Sequence, residues 1–281
     1  AHRLLLGDGS CDPVWDPTPG AIAITTNTNA IARDVRIAGT PDGAFITWTD
    51  YRNSSGYPLY TNKDVYLQYI LSQTATWPAG GSWVANGINV AAPPETYDQE
   101  HPDIVLDFAR RNNKYGVLVV YEDNRTGPLQ IRADNIDATG ANVHGSDLPV
   151  DQYNAAQRAP RIVSTGSWTT QPLYGALVTW EDDRGIRLST GTDIYARRID
   201  ETFIPAWFNG VPVCSAPSTQ QRPRPVARGT FGAVAWEDLR NMATTQTDVY
   251  VNVLDMITGA VVWPATIAFP LCTYAADQLK P

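Results

Sequence analysis

The stretch LVTWEDDRGIRLSTGTDIYARRID, residues 177–200, decides the fold because its pattern occurs four times. Its first half, LVTWEDDR (177–184), matches FITWTDYR (45–52), LVVYEDNR (118–125) and AVAWEDLR (233–240). Each copy is an apolar run, an aromatic residue, a polar residue, Asp, any residue and Arg. The aromatics are Trp48, Tyr121, Trp180 and Trp236, so the period is 73, then 59, then 56 residues. The second half, TDIYARRID (192–200), matches KDVYLQYI (63–70), LQIRADNID (129–137) and TDVYVNVLD (247–255). A third element follows, entered through a Trp in three copies: GSWVANGINVAA (81–92), AWFNGVPVCSA (206–216) and VVWPATIAFPLCT (261–273). The second copy has GANVHGSDLPVD (140–151) instead. Gln-x-x-Pro then leads into a short apolar run after Gln99, Gln157 and Gln220.

Short alternating runs rich in β-branched and aromatic residues, bounded by Gly, Pro, Asn and Asp, predict strands. No window sustains a helical apolar period, so essentially no helix is expected. Each repeat therefore reads as four antiparallel strands, here A to D, and such units in tandem predict the blades of an all-β propeller. One sheet cannot bury both its faces alone, so blades must stack around an axis. The expected divisions of this single domain are a half blade at 1–30, blades at about 31–97, 98–155, 156–219 and 220–276, and a tail at 277–281. Four complete blades plus a half predict five if the last is completed. The half blade reads as strands C and D, and Gln278 with Pro281 repeats the motif that introduces a strand A. The expectation is either a piece of a longer protein or an open sheet edge completed by another molecule.

The motif aromatic-x-Asp-x-Arg, then Asp-[Ile/Val]-Tyr, with Gln-x-x-Pro between blades, resembles the WD40-like propeller repeats of secreted and periplasmic bacterial and archaeal proteins. The Tol-Pal periplasmic propeller carries a related motif. The resemblance covers nearly the whole chain at the level of the repeat. It implies a propeller and an exported location, and no single activity. Tyr121 in place of Trp, and LQIRAD in place of Asp-[Ile/Val]-Tyr, imply a weaker internal network in the second blade.

Composition narrows the function classes. The 281 residues are 43% hydrophobic and 18% charged, with a net charge of −8. No basic stripe suggests nucleic acid, and no apolar run suits membrane insertion. The first residue, Ala1, the few Lys and the many Thr, Asn, Trp and Tyr suit a processed extracellular or periplasmic protein. Cys11, Cys214 and Cys272 have no disulfide-scaffold or metal-ligand spacing; Cys214 and Cys272, at one strand-D position in neighbouring blades, are expected as buried thiols.

The recurring acids and arginines, Asp50/Arg52, Asp123/Arg125, Asp182/Arg184 and Asp238/Arg240, predict a structural clasp between strands B and C, because an enzyme site needs one asymmetric constellation. The expected partners of these arginines are the acids that open strand C, Asp64, Asp193 and Asp248. The same Asp-rich turns could hold calcium; no other cofactor is indicated. His2, His101 and His144 are scattered and suggest neither a triad nor a zinc site.

One asymmetric set remains. Arg33, Asp103, Arg161 and Arg224, at the start of the four strands A, predict a ligand site at the mouth of the axial channel, suited to a carboxylate or sulfate. The leading expectation is a non-enzymatic structural or adhesive propeller that contacts other protein chains, copies of itself above all, by completing its open blade. The alternative is a carbohydrate-binding, lectin-like propeller with glycans as partners. The second alternative is a glycoside hydrolase with paired carboxylates, for which strand A offers only Asp34 and Asp103.

Overall fold

Each repeat folds into one antiparallel sheet of four strands. The computed structural model describes residues 24–26, 31–54, 62–74, 76–91, 96–108, 115–166, 175–188, 191–274 and 276–278. The first sheet is β1 (Ala32–Thr40), β2 (Gly43–Asp50), β3 (Asp64–Leu71) and β4 (Ile88–Asn89), hydrogen-bonded in that order. The second is β5 (Gln99–Asp107), β6 (Gly116–Asp123), β7 (Gln130–Asp137) and β8 (Leu148–Pro149). The third is β9 (Gln157–Ser164), β10 (Gly175–Asp182), β11 (Asp193–Asp200) and β12 (Val211–Cys214). The fourth is β13 (Gln220–Arg228), β14 (Phe231–Asp238), β15 (Asp248–Asp255) and β16 (Phe269–Cys272). Among the described residues the helix is confined to one 3-10 segment, Asp183–Leu188. The four strands A pack in series, β1 on β5, β5 on β9 and β9 on β13, as the inner strands of propeller blades. The expected half blade lies outside the described residues except for 24–26.

Strand alternation explains why the strand-B runs are almost continuously apolar. Successive side chains point to opposite faces of a sheet, and here both faces are buried between blades. In β6, Val117, Val119 and Tyr121 join the core shared with the first blade, while Leu118 and Val120 join the core shared with the third. In β10, Val178 and Trp180 face the second blade and Leu177 faces the fourth. The repeated slot of the aromatic is therefore the face toward the preceding blade. For the first blade, that face holds Ile46, Trp48, Tyr66 and Ile70, with Ile24 packed against them. Thr26 also donates its backbone N–H to Asn86 Oδ1 at 2.7 Å, which fixes residues 24–26 on this face.

The repeated cluster is a buried clasp. In the third blade Asp182 accepts Trp180 Nε1–H at 2.8 Å on one oxygen and the backbone N–H of Arg184 at 2.9 Å on the other. Arg184 then closes on both oxygens through Nε and Nη2. The first and fourth blades repeat this, with Trp48 to Asp50 at 2.8 Å and Trp236 to Asp238 at 2.9 Å. The expected pairing of these arginines with the strand-C acids is not what forms. The guanidiniums instead lie over the strand-C tyrosines, Arg52 on Tyr66, Arg184 on Tyr195 and Arg240 on Tyr250, at 3.7–4.0 Å from the ring centroids. Asp50, Asp182 and Asp238 have no exposed surface, so each needs its fork of donors close by. Asp64 and Asp248 take amides, Asn53 at 2.7 Å and Asn241 at 2.8 Å. Glycine completes the packing where strand D approaches the indole: a Cβ on Gly210 would stand 2.6 Å from Trp180.

The second blade is wired differently. Tyr121 donates its hydroxyl to Asp134 at 2.8 Å, and Arg132 stands where the other blades have Tyr. Arg125 and Arg132 both pair with Asp147, at 2.7 and 3.1 Å. Burial pushes the Asp134 carboxyl up to about 7; hydrogen bonds from Tyr121 and Asn142 oppose this, and the charge of Asp147 adds to it.

Cys214 is buried as expected, with its thiol pushed up to about 12 by burial, but Cys272 is exposed. The reason is position: Cys214 lies in the core between the third and fourth blades, whereas β16 is the outer strand of the last described blade and is exposed throughout.

Two stability measurements follow from these networks. Arg184→Ala leaves Asp182 and Asp151, both without exposed surface, short of their partner, and should cost about 3–5 kcal/mol in urea unfolding. Arg52→Ala, at a clasp with one such acid, should cost less. Asp134 binds its proton more tightly folded than unfolded, where its value is 3.8. Its contribution is therefore full below that value and is lost as pH rises through about 7. Asp134→Asn should flatten that loss, gaining about 3 kcal/mol on wild type between pH 5 and 8.

Candidate functional site at the mouth of the axis

The inner strands share an irregularity, which in three blades falls within the Gln-x-x-Pro motif. Each has a register shift against strand B near its start. Within it, Asp34, His101, Ala159 and Arg222 adopt left-handed backbone, with φ of 51–56°. These four residues hold the same place in the four blades. A non-glycine residue there carries about 1–2 kcal/mol of strain, and a bulge of this kind re-aims the side chains beside it.

The strained N–H groups are bound from the neighbouring blade. His101 N–H donates to Thr49 Oγ1 at 3.2 Å, Ala159 N–H to Glu122 Oε1 at 2.7 Å, and Arg222 N–H to Glu181 Oε1 at 2.8 Å. The acceptors Thr49, Glu122 and Glu181, with Glu237 in the fourth blade, follow the strand-B aromatic directly. Alternation turns them away from the clasp, toward the next blade.

Glu122 is buried, and its second oxygen lies 3.0 Å from Nδ1 of His101. That hydrogen bond raises the His101 imidazole above its ordinary value, against the effect of its partial burial. Asp34 Oδ2 stands 3.9 Å from the other ring nitrogen. Glu181 is half-buried, and burial raises its carboxyl; the Arg222 N–H bond opposes the rise, and the charge of Glu122 adds to it. Glu237 is fully buried and is held by Arg222 at 3.0 Å and Gln221 at 3.1 Å. Adjacent blades thus bring two acids near each other, Glu122 and Glu181, the second raised in part by the charge of the first, with a histidine bonded to Glu122.

Two residues farther along the inner strands lies the second ring. Its first member is Arg36, not Arg33 as expected. Arg36 opposes Thr47 in the register that Asp103, Arg161 and Arg224 share with Val120, Thr179 and Ala235. The first repeat has ARDVR where the second has QEHPD, so without Gln or Pro to mark the bulge the alignment slips by three. Arg33 lies instead over the ring of Tyr51, at 5.8 Å. Arg36 Nε is 3.6 Å from Asp103 Oδ1, and Asp103 Oδ2 accepts the Ile162 N–H at 3.0 Å. Burial raises the Asp103 carboxyl, with that N–H and Arg161 opposing.

Calcium at the Asp-rich turns is not what the geometry favours, since both oxygens of Asp50, Asp182 and Asp238 accept Trp and Arg donors. Among the described residues the one ligand group compact enough for a metal is Glu100, His101 and Glu122, whose ligand atoms lie within 4.8 Å of one another. Glu100 is also ion-paired to Lys63 at 2.9 Å.

No family model matches the chain, and no curated protein matches it. Among solved structures it is similar to an exo-β-1,3-galactanase from Phanerochaete chrysosporium, at 14% identity and a TM-score of 0.45. That match covers 87% of this chain and 52% of the galactanase, so the chain spans about half its length. It is similar to the catalytic domain of the Coprinopsis cinerea GH62 α-L-arabinofuranosidase, at 8% identity and a TM-score of 0.46, covering 92% of this chain and 77% of that one. A subtype N11 neuraminidase-like protein from a flat-faced bat matches at 10% identity and a TM-score of 0.47, covering 85% and 55%. The likeness lies in the fold. The expectation that the chain is not an enzyme is corrected: the propellers it resembles include glycoside hydrolases. The absence of convergent acids, on which that expectation rested, gives way to Glu122 and Glu181. Among the described residues no helix is long and apolar enough to cross a membrane.

The bulge can be tested at Ala159. Ala159→Gly should leave stability unchanged or raise it by up to about 1 kcal/mol, since glycine carries no left-handed penalty. Ala159→Val should cost about 1–2 kcal/mol, both read by urea titration.

Proposed function

We propose that this chain is a glycoside hydrolase of propeller type whose active centre is the mouth of the axis. Glu181 is the proton donor to the glycosidic oxygen, and Glu122 is the carboxylate that acts on the opposite side of the sugar. One observation carries the reading. Two glutamates from adjacent blades lie within reach of each other's field in unlike environments, one raised by burial and its neighbour's charge, the other held by an N–H and an imidazole.

Hydrolysis of a glycosidic bond needs such a division of labour. A raised carboxyl keeps its proton to give to the leaving oxygen, and an ionised one stabilises or attacks the carbon left behind. His101, bonded to Glu122, orients that carboxylate, and the strained bulges hold both acids from their backbone side. Nothing comparable supports the adhesive reading. The substrate is a glycan met outside the cytoplasm, and the exported location and the kinship with WD40-like repeats rest on motif and composition alone.

Reducing-sugar release from a polysaccharide panel tests the reading. Glu181→Gln and Glu122→Gln should each lower kcat by about 10²–10⁴-fold without moving the melting temperature. Turnover unaffected by either change, or no release from any polysaccharide, would overturn it. Glu122→Gln also removes a charge that raises Glu181. The basic limb of its residual pH–rate profile should therefore move to lower pH.

A further inference from the structure

Four inner strands place one charged residue each at the same depth of the axis: Arg36, Asp103, Arg161 and Arg224. Three guanidiniums therefore share one carboxylate, an excess of two positive charges in a chain whose net charge is −8. Asp103 is already engaged twice, by the Ile162 N–H and by Arg36.

The guanidiniums find little else. Arg36 Nη1 donates to the carbonyl of Val35 at 3.0 Å, Arg161 Nη1 to Pro160 at 2.8 Å and Arg224 Nη1 to Pro223 at 3.5 Å. Each is the residue just before it, so these bonds fold the side chain back and tie it to no other element. A guanidinium has five donors. Among the described residues Arg161 and Arg224 each have only that one hydrogen bond, while Arg161 is half-buried. Like charge on Arg224 and Arg36 adds to burial in lowering the Arg161 guanidinium, and Asp103 opposes them. Glu181 is near enough to contribute to the same balance, so the arginine ring lies close to the acid pair.

We infer that Arg36, Arg161 and Arg224 bind the carboxylate of a uronic acid, so that the substrate is an acidic glycan. This rests on the hydrolase reading for the word substrate, but not for the binding. The ring itself indicates the ligand chemistry, because the residue that replaces the fourth arginine is a carboxylate and Arg36 pairs with it. A planar guanidinium fork matches a carboxylate with two parallel bonds, and two of the three forks lack one. A neutral sugar offers single hydroxyl acceptors but neither the paired oxygens nor the charge that the forks match.

The test is calorimetric titration of the full chain carrying Glu181→Gln, which keeps a substrate intact. The probes are an oligogalacturonate, the same oligosaccharide with its carboxyls reduced to alcohols, and a sulfated galactan oligosaccharide. The oligogalacturonate should bind at least tenfold more tightly than its reduced counterpart, and added Arg161→Gln and Arg224→Gln should abolish the difference. Arg224→Gln alone, at an exposed side chain, should remove a part of it at an unchanged melting temperature. Equal binding of the reduced and acidic forms, preference for the sulfated probe, or no binding of any probe would overturn the inference. Turnover of neutral glycans that ignores the arginines would remove this inference and leave the hydrolase reading standing. Acid-selective binding by a chain that hydrolyses nothing would do the reverse.

Discussion

The buried carboxylate that ends each strand B is the interaction on which the rest depends. It has no exposed surface in any of the four blades, so it can exist charged only where donors surround it. In the third and fourth blades they are a tryptophan N–H, a backbone N–H and an arginine fork; in the first, Arg52 adds one guanidinium N–H in place of the fork, and in the second Arg125 supplies both the N–H and the fork. Meeting that demand fixes the entry to the B–C loop, stacks Arg on the strand-C Tyr, and orients the aromatic toward the preceding blade. The asymmetry of the strand follows. With the aromatic and the Asp facing backward, the residue between them must face forward, and that residue is Thr49, Glu122, Glu181 or Glu237.

The clasp and the candidate site are thus two faces of one motif. The backward face repeats because every blade needs the same support. The forward face varies, with one threonine, three glutamates and different partners for each. Glu237 is closed off by Arg222 and Gln221, Glu122 engages His101, and Glu181 is left with the N–H of Arg222 as its one direct bond among the described residues. A repeating scaffold acquires an asymmetric centre in this way, by differences in the forward-facing residue and in the few inner-strand residues that meet it.

This explains how much could be read from the sequence. Strand identity, blade order and the Trp-Asp-Arg cluster were legible because period-2 patterning and the repeat are both strong signals. The acids of the site were also in plain view, in TWTD, VYED, TWED and AWED, but the repeat marked the whole tetrapeptide as structural. Separating the two faces by alternation would have singled out the glutamates. Gln-x-x-Pro marked the place of the bulge in three blades but not its conformation, since Asp34, His101, Ala159 and Arg222 share no residue type that announces left-handed backbone. That same bulge shifted the arginine ring by three residues in the first blade and hid Arg36. His101 looked isolated because its partners come from other strands, Glu122 from the paired β6 and Asp34 from the preceding blade.

The central claim is that the forward-facing glutamates at the mouth of the axis are where a glycan is worked upon. A crystal structure of the Glu181→Gln protein soaked with an oligosaccharide that the wild-type chain cleaves addresses it most directly. The account predicts a sugar ring between Glu122 and residue 181, with its glycosidic oxygen within hydrogen-bond reach of residue 181. A sugar bound on the outer strands or on a blade face, with the mouth of the axis left to solvent, would contradict it.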